Sequence, residues 1–187
     1  MGRRAALIAL VLVIVLVVAG TVALSNGRDT LDRQRSVAQA RWKPLRAPLT
    51  QRYGALAALV NAARPLRNPP LPVFAQVDTA EARWTGLQKQ PFKGDRVPAE
   101  VTAANNLEGL IGRVSAAVPD SPRLNGNPAV QAALTGLKAA VPPPALVTSF
   151  DDAVTRYNDS RNSFWDRVPA ELFGYDAIPS FAMVATG

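Results

Sequence analysis

The sequence predicts an all-α protein: a single N-terminal transmembrane helix followed by an antiparallel helical bundle with proline-rich connections. Three observations lead there. Ala5–Leu24 is an uncharged apolar run, sixteen prolines divide the chain after it, and the segments so divided carry apolar residues at helical spacing. Strand signals are weak, because no Asn-Gly or Asp-Gly turn is flanked by alternating residues.

The chain divides into a short basic start (1–4, with Arg3 and Arg4), the apolar segment (5–24) and a domain filling 25–187. Twenty helical residues rise about 30 Å, the thickness of a bilayer's hydrocarbon core. A cleavable signal peptide has a shorter apolar region and ends at a small-x-small site, of which Thr21-Val22-Ala23 is a poor version, so the expectation is a retained anchor in the cell membrane. Arg3 and Arg4 favour a cytoplasmic N-terminus, whereas Arg28, Arg33 and Arg35 crowd the opposite flank. Long downstream domains translocate largely regardless of charge, so the bundle is expected on the extracytoplasmic side.

The chain has no cysteine and no histidine, which removes disulfides, thiolate nucleophiles, imidazole bases and the usual zinc ligands together. The net charge is +7. Beside phospholipid headgroups that charge points to anionic lipid or an acidic partner, and nucleic-acid motifs are absent.

Along the domain, a first helical stretch runs from about Thr30 to Arg64, with Val37, Leu45, Leu49, Leu56, Leu59 and Val60 on one stripe. Pro44 and Pro48 inside it predict a kink or restart. Arg64–Pro72 reads as an extended connector. A second helix places Phe74, Val77, Trp84 and Leu87 on one face. A third starts near Asp95 as cap and carries Val101, Ala104, Leu107, Ile111, Val114 and Val118 until Pro119. Asn127-Pro128 is a cap-plus-first-turn signal, followed by Val130, Leu134, Leu137 and Val141. A last helix, about Leu146–Trp165, aligns Phe150, Val154, Tyr157, Arg161 and Phe164. The tail beyond it is apolar with little helical length, and is expected to pack across the bundle.

Three stretches, carrying Trp42 to Val60, Pro119 to Leu137 and Ala153 to Phe181 in that order, resemble the LemA family of membrane-anchored bacterial helical-bundle proteins. "RWKPLRAPLTQRYGALAALV" resembles that family's membrane-proximal motif at Trp42, Leu45, Leu49, Arg52, Tyr53, Leu59 and Val60. "PDSPRLNGNPAVQAALTGL" is similar at Pro119, Asp120, Asn125 or Asn127, and Leu134 or Leu137. "FDDAVTRYNDSRNSFWDRVPAELFGYDAIPSF" resembles the C-terminal motif at Ala153, Val154, Tyr157, Asn158, Phe164, Ala170, Gly174, Tyr175 and Phe181. Phe150-Asp151 replaces that motif's first Tyr-Asn, and Trp165 its proline. The resemblance implies membrane association and a binding or scaffolding role, with Trp42, Arg52, Tyr157, Asn158, Phe164, Gly174 and Phe181 as structural positions.

The residues themselves offer little chemistry. Tyr157 is expected in the core with its hydroxyl on one acceptor, and Asn158, Asp159 and Arg161 in local helix-surface bonds. Asp151, Asp152 and Asp159 lie on one helix, but the adjacent Asp151 and Asp152 point about 100° apart and no second acidic cluster completes a cation cage. Asp120–Asn127 lacks the pattern of a calcium loop. No Ser-x-x-Lys pattern occurs. Catalytic, cofactor and metal sites are therefore not expected. Arg28, Arg33, Arg35, Arg41, Lys43 and Arg46 are the candidate contacts to a partner or to lipid, diluted by Asp29 and Asp32.

The expected role is a non-enzymatic, membrane-tethered scaffold or regulator that binds envelope proteins or further copies of itself. The alternatives are an anionic-lipid-binding surface domain and the accessory subunit of a membrane hydrolase.

Overall fold

Proline placement explains most of the helix starts. A proline occupies the first helical position of α3 (Pro72–Gln88), α5 (Pro122–Asn125), α6 (Pro128–Ala139) and α7 (Pro144–Asn162), and the second of α4 (Val97–Ala117). The missing N–H is no loss there, because the first turn has no intrahelical acceptor for it. Asn127 adds a side-chain cap, its Oδ1 accepting from Ala129 N and Val130 N at 3.0 and 3.2 Å. Such a cap is worth about 1 kcal/mol. Asp95 is not a cap: it sits in a 3-10 turn, Gly94–Arg96, and α4 begins after it with no side-chain cap.

The structure is a computed structural model that describes residues 25–66 and 71–184. The expected anchor, Ala5–Leu24, lies outside the described residues. Within them the chain is all-helical apart from connections and the tail, with no strand, and none of its helices is long and apolar enough to cross a membrane.

Helix α1 covers 25–42 and is followed by a 3-10 turn, Lys43–Leu45, and by α2, Arg46–Ala63. Pro44 produces the expected interruption as that single tight turn, and Pro48 is absorbed in the first turn of α2. The inward positions keep a 4-3 spacing through the interruption: Leu31, Arg35, Ala38, Trp42, Leu45, Leu49, Arg52, Leu56, Leu59 and Ala63. All of these except Arg35 are at most 1% exposed, and a 3-10 turn brings residues three apart into line, so the stripe does not rotate away. Val37 lies one residue out of this phase and is 49% exposed, which corrects its assignment to the buried stripe.

Contacting residues give the helix directions. Thr50 meets Trp84 while Arg64 meets Asp78, so α3 runs antiparallel to α2. Gln76 meets Arg113, turning α4 back beside α3, and Trp42 meets Glu100 while Arg52 meets Glu108, so α1 and α2 run the same way as α4. The end of α6 reaches Arg52, and Phe150 of α7 lies on Trp42, so α6 and α7 return antiparallel along α2 and then α1. The core follows: Phe74, Val77 and Trp84 of α3, Val101, Ala104, Leu107, Ile111 and Val114 of α4 with Val118 just after it, Val130 and Leu137 of α6, and Phe150, Val154 and Tyr157 of α7 are all buried. Leu87 and Leu134 are only partly buried. Val141 is 44% exposed, because α6 has ended at Ala139 and no longer directs it inward.

The last expected helix is two. Helix α7 stops at Asn162, Ser163 is extended (ψ 150°), and a separate α8 covers Phe164–Phe173. Gly174 then takes φ +68°, the one positive φ among the described residues. Tyr175 N donates to Ala170 O at 2.9 Å across it. That is the six-to-one closure of a Schellman motif, which calls for glycine at this position. The chain leaves it as an extended tail, 175–184.

Candidate functional site

The tail has no strand to pair with, yet its peptide groups are met one after another by side chains. Arg161 Nε donates to Tyr175 O at 2.6 Å and Tyr157 Oη to Asp176 O at 2.8 Å. Asn158 holds Ile178 from both sides, Nδ2 donating to its O at 2.8 Å and Oδ1 accepting from its N at 3.2 Å. Asp151 Oδ1 accepts from Phe181 N at 2.9 Å. From α4, Asn105 repeats the two-sided grip on Ser180 O and Ala182 N, and Glu108 Oε2 accepts from Val184 N at 3.0 Å. An extended segment laid on a bundle must find partners for its peptide groups, and here α7 and α4 supply them. Tyr157 has its expected place. Asn158 bonds the tail and not its own helix surface, because α7 turns that face toward the tail, and Arg161 does both, its Nη1 donating to Asn162 Oδ1 at 3.1 Å as well.

Two polar clusters sit under the tail. Arg52 and Glu108, both fully buried, pair in a fork at 2.8 and 3.1 Å. The same guanidinium donates to Val184 O at 3.0 Å and Ala140 O at 3.4 Å, so one ion pair ties α2, α4, the end of α6 and the tail. The second cluster centres on Trp42, whose Nε1 donates to Glu100 Oε2 at 2.8 Å and whose ring lies 4.9 Å from Phe150 and 5.9 Å from Phe181. Burial, and then the charge of Glu108, push the Tyr53 phenol far above its ordinary range, so it stays a neutral donor to Ala104 O. Glu100 and Glu108 were missed in the sequence. The available signal was two acidic residues eight apart on the same stripe as Val101, Ala104, Leu107 and Ile111.

The six basic candidates separate. Arg46 is 16% exposed, ion-paired with Glu100 at 3.2 Å and stacked over Phe92, and Arg35 lies over the Tyr175 ring. Both are corrections to a solvent-facing assignment. Arg35 occupies an inward position of the 4-3 stripe, and Arg46 directly follows the buried Leu45. Arg28 is exposed but pairs with Asp32 at 3.8 Å. Arg33, Arg41 and Lys43 remain exposed. Arg33 and Arg41 flank Val37 on α1, and across from them stand Ala153 and Arg156 of α7, enclosing a groove of about 360 Å³. Such a groove can hold carboxylates or phosphates against an apolar floor. It contains no residue suited to acid–base work.

The acidic candidates on α7 do not converge, and among the described residues no group of three or more potential ligands could hold a metal ion. Asp151 is committed to Phe181 N. Burial raises its pKa, with Asp152 adding to the rise and the Phe181 N–H opposing it. A carboxyl with a raised folded pKa favours folding below its unfolded value, and that contribution is lost as pH rises through the folded one. Asp151→Asn imitates the protonated form and keeps the acceptor oxygen. Its melting temperature is expected to equal or slightly exceed the parent's at pH 7, with the difference vanishing near pH 3. A clear loss at pH 7 would show that the ionised carboxylate is needed on Phe181 N.

Comparisons with protein-family models, with curated proteins and with solved structures found no match for this chain.

Proposed function

We propose that the protein is a membrane-anchored, non-enzymatic helical bundle that scaffolds or regulates an envelope complex, with the groove between α1 and α7 as its docking face for an acidic segment of a partner protein. The observation that carries this reading is the placement of Arg33, Arg41 and Arg156 around the exposed Val37. Three guanidiniums beside an apolar side chain fit a peptide that alternates carboxylates with an apolar anchor. The apolar run Ala5–Leu24 immediately precedes α1 and supports the anchor and the single-pass topology. The LemA-like reading draws support from the way Trp42, Arg52, Tyr157, Asn158, Gly174 and Phe181 all serve one structural task, seating the tail.

Of the alternatives, an anionic-lipid surface is less favoured, because Arg28, Arg35 and Arg46 have protein partners of their own. A photo-cross-linking residue in place of Val37 should give discrete protein adducts in native membranes. Arg41→Glu combined with Arg156→Glu should remove them, and the same cross-linker at Asn61 should give none. Adducts to lipid alone, or protein adducts indifferent to the charge reversal, would sink the docking reading. Release of the full chain by alkaline carbonate would sink the anchor.

A further inference from the structure

Helix α8 carries three of the five exposed large apolar side chains among the described residues, within six positions: Val168 (60%), Leu172 (66%) and Phe173 (44%). Val168 and Leu172 are four apart and share a face, whereas Ala170, about 200° round from each, is buried against the bundle. The helix thus seats one side and turns an apolar side outward. Phe173 stands at the edge of that side, about 100° from Leu172 and under the Arg28 guanidinium. Isolated exposed apolar residues are ordinary, whereas neighbouring ones on a short helix call for an account of what meets them.

Position identifies it. The Arg28 guanidinium lies 5.0 Å above the Phe173 ring, and Tyr175 Oη donates to Asp32, so α8 sits beside the first turns of α1. Arg28 is four residues beyond Leu24, about 6 Å of helical rise. The polar interfacial zone on each side of a bilayer's core is about 5–8 Å deep. With the apolar run in the membrane, Phe173 is at headgroup depth. Both arginines beside the face are already paired, Arg28 with Asp32 and Arg167 with Glu171 at 3.1 Å, so attraction to anionic lipid is not what holds it. A second copy of the chain is a poorer occupant. Three partly exposed side chains offer on the order of 300 Å², against about 800 Å² per partner in a stable interface.

We propose that α8 is an interfacial helix that inserts Val168 and Leu172, with Phe173 at their edge, into the headgroup–acyl boundary of the bilayer entered by Ala5–Leu24, fixing the tilt of the bundle on the membrane. The inference rests on the anchor reading above. It concerns a surface separate from the α1–α7 groove.

The absence of cysteine makes the test direct, since any introduced thiol is the only one. The full chain is reconstituted in phosphatidylcholine vesicles with an environment-sensitive fluorophore on Leu172→Cys, on Ile14→Cys as a report on the anchor, or on Asn61→Cys, some 50 Å along the α1–α2 rod from Arg28. Lipids bearing a nitroxide near the headgroup are expected to quench the Leu172 probe by about half, as for an amphipathic face buried roughly 5–10 Å, and lipids bearing one deep in the acyl chain to quench the Ile14 probe. The Asn61 probe should be unaffected, and the Leu172 result should be the same at low and high salt. A quenched Ile14 probe with a water-exposed Leu172 probe overturns the inference and leaves the anchor standing. Two unquenched probes, on protein that does not float with the vesicles, overturn both. Leu172 quenching that requires anionic lipid and disappears with salt, or shielding that grows with protein-to-lipid ratio, overturns it in favour of electrostatic adsorption or self-association.

Discussion

Arg52→Leu is expected to lower the melting temperature by roughly 10 °C or more, among the largest effects of any single substitution in the domain. The reason is what the substitution leaves behind. Glu108 is fully buried, and without the guanidinium its carboxylate has only Val184 N as a donor. Breaking a buried ion pair from one side costs about 3–5 kcal/mol, and each kcal/mol shifts the midpoint of a domain this size by about 2–4 °C. Removing both partners is a different matter. In Arg52→Leu with Glu108→Leu, no charge is stranded, and buried ion pairs replaced together by apolar residues are often neutral in stability. Here recovery should be incomplete, because Val184 N, Val184 O and Ala140 O each lose a partner in a partly buried setting. Thermal melts of the two variants decide it. A double variant as unstable as Arg52→Leu alone would mean that the pair's role is to hold the tail and α6, with the stranded charge of little account.

This ion pair also shows where the sequence could and could not be read. The helical segments were legible because apolar spacing and proline punctuation agree: Pro72, Pro98, Pro128 and Pro144 each open a helix, and Asn127 caps one as its position suggests. The phase of α1 was not. Val37 is the more hydrophobic of two neighbours, but Ala38 holds the inward position, because the 4-3 spacing is set by Leu31, Trp42 and Leu45 on either side of it. Read with that spacing, Arg35 and Arg52 fall on the buried stripe, and their charge becomes informative: a basic residue in phase with a core needs an acidic partner. For Arg52 that partner is Glu108 on α4, in phase with Val101 and Leu107, whereas Arg35 lies over the Tyr175 ring and Glu100 serves Trp42 and Arg46. What no single-chain pattern could supply is which elements meet. The tail's grip on Asn105, Asp151 and Asn158 joins residues 20 to 77 apart, through contacts whose local sequence is an ordinary helix surface. The break at Ser163 was hidden for a related reason, since Arg161 and Phe164 are correctly spaced for one helix to continue through it.

Trp42→Ala should be comparably damaging, and the comparison with Trp42→Phe separates two causes. The indole is fully buried, and truncating such a ring leaves a cavity worth about 3–5 kcal/mol. It also removes the N–H on Glu100, a hydrogen bond to a charged group worth about 1.5–3 kcal/mol where it is lost alone. Phenylalanine restores a ring against Phe150 and Phe181 without restoring the donor, and Arg46 remains 3.2 Å from Glu100 to limit the stranded charge. The expected order of melting temperatures is therefore parent, Trp42→Phe, Trp42→Ala, with the larger step between the last two. The ring also lies under Phe181, so its loss should be felt in the tail before the helices open: in Trp42→Ala the amides of Phe181 and Ala182 should exchange hydrogen faster than the amides of α2 and α4. Local opening of this kind follows when a segment loses its apolar contact and keeps only side-chain hydrogen bonds. Equal damage in the two variants would put the weight on the Glu100 bond. Tail amides as well protected in Trp42→Ala as in the parent would show that Asn105, Asp151 and Asn158 hold the segment without help from the ring.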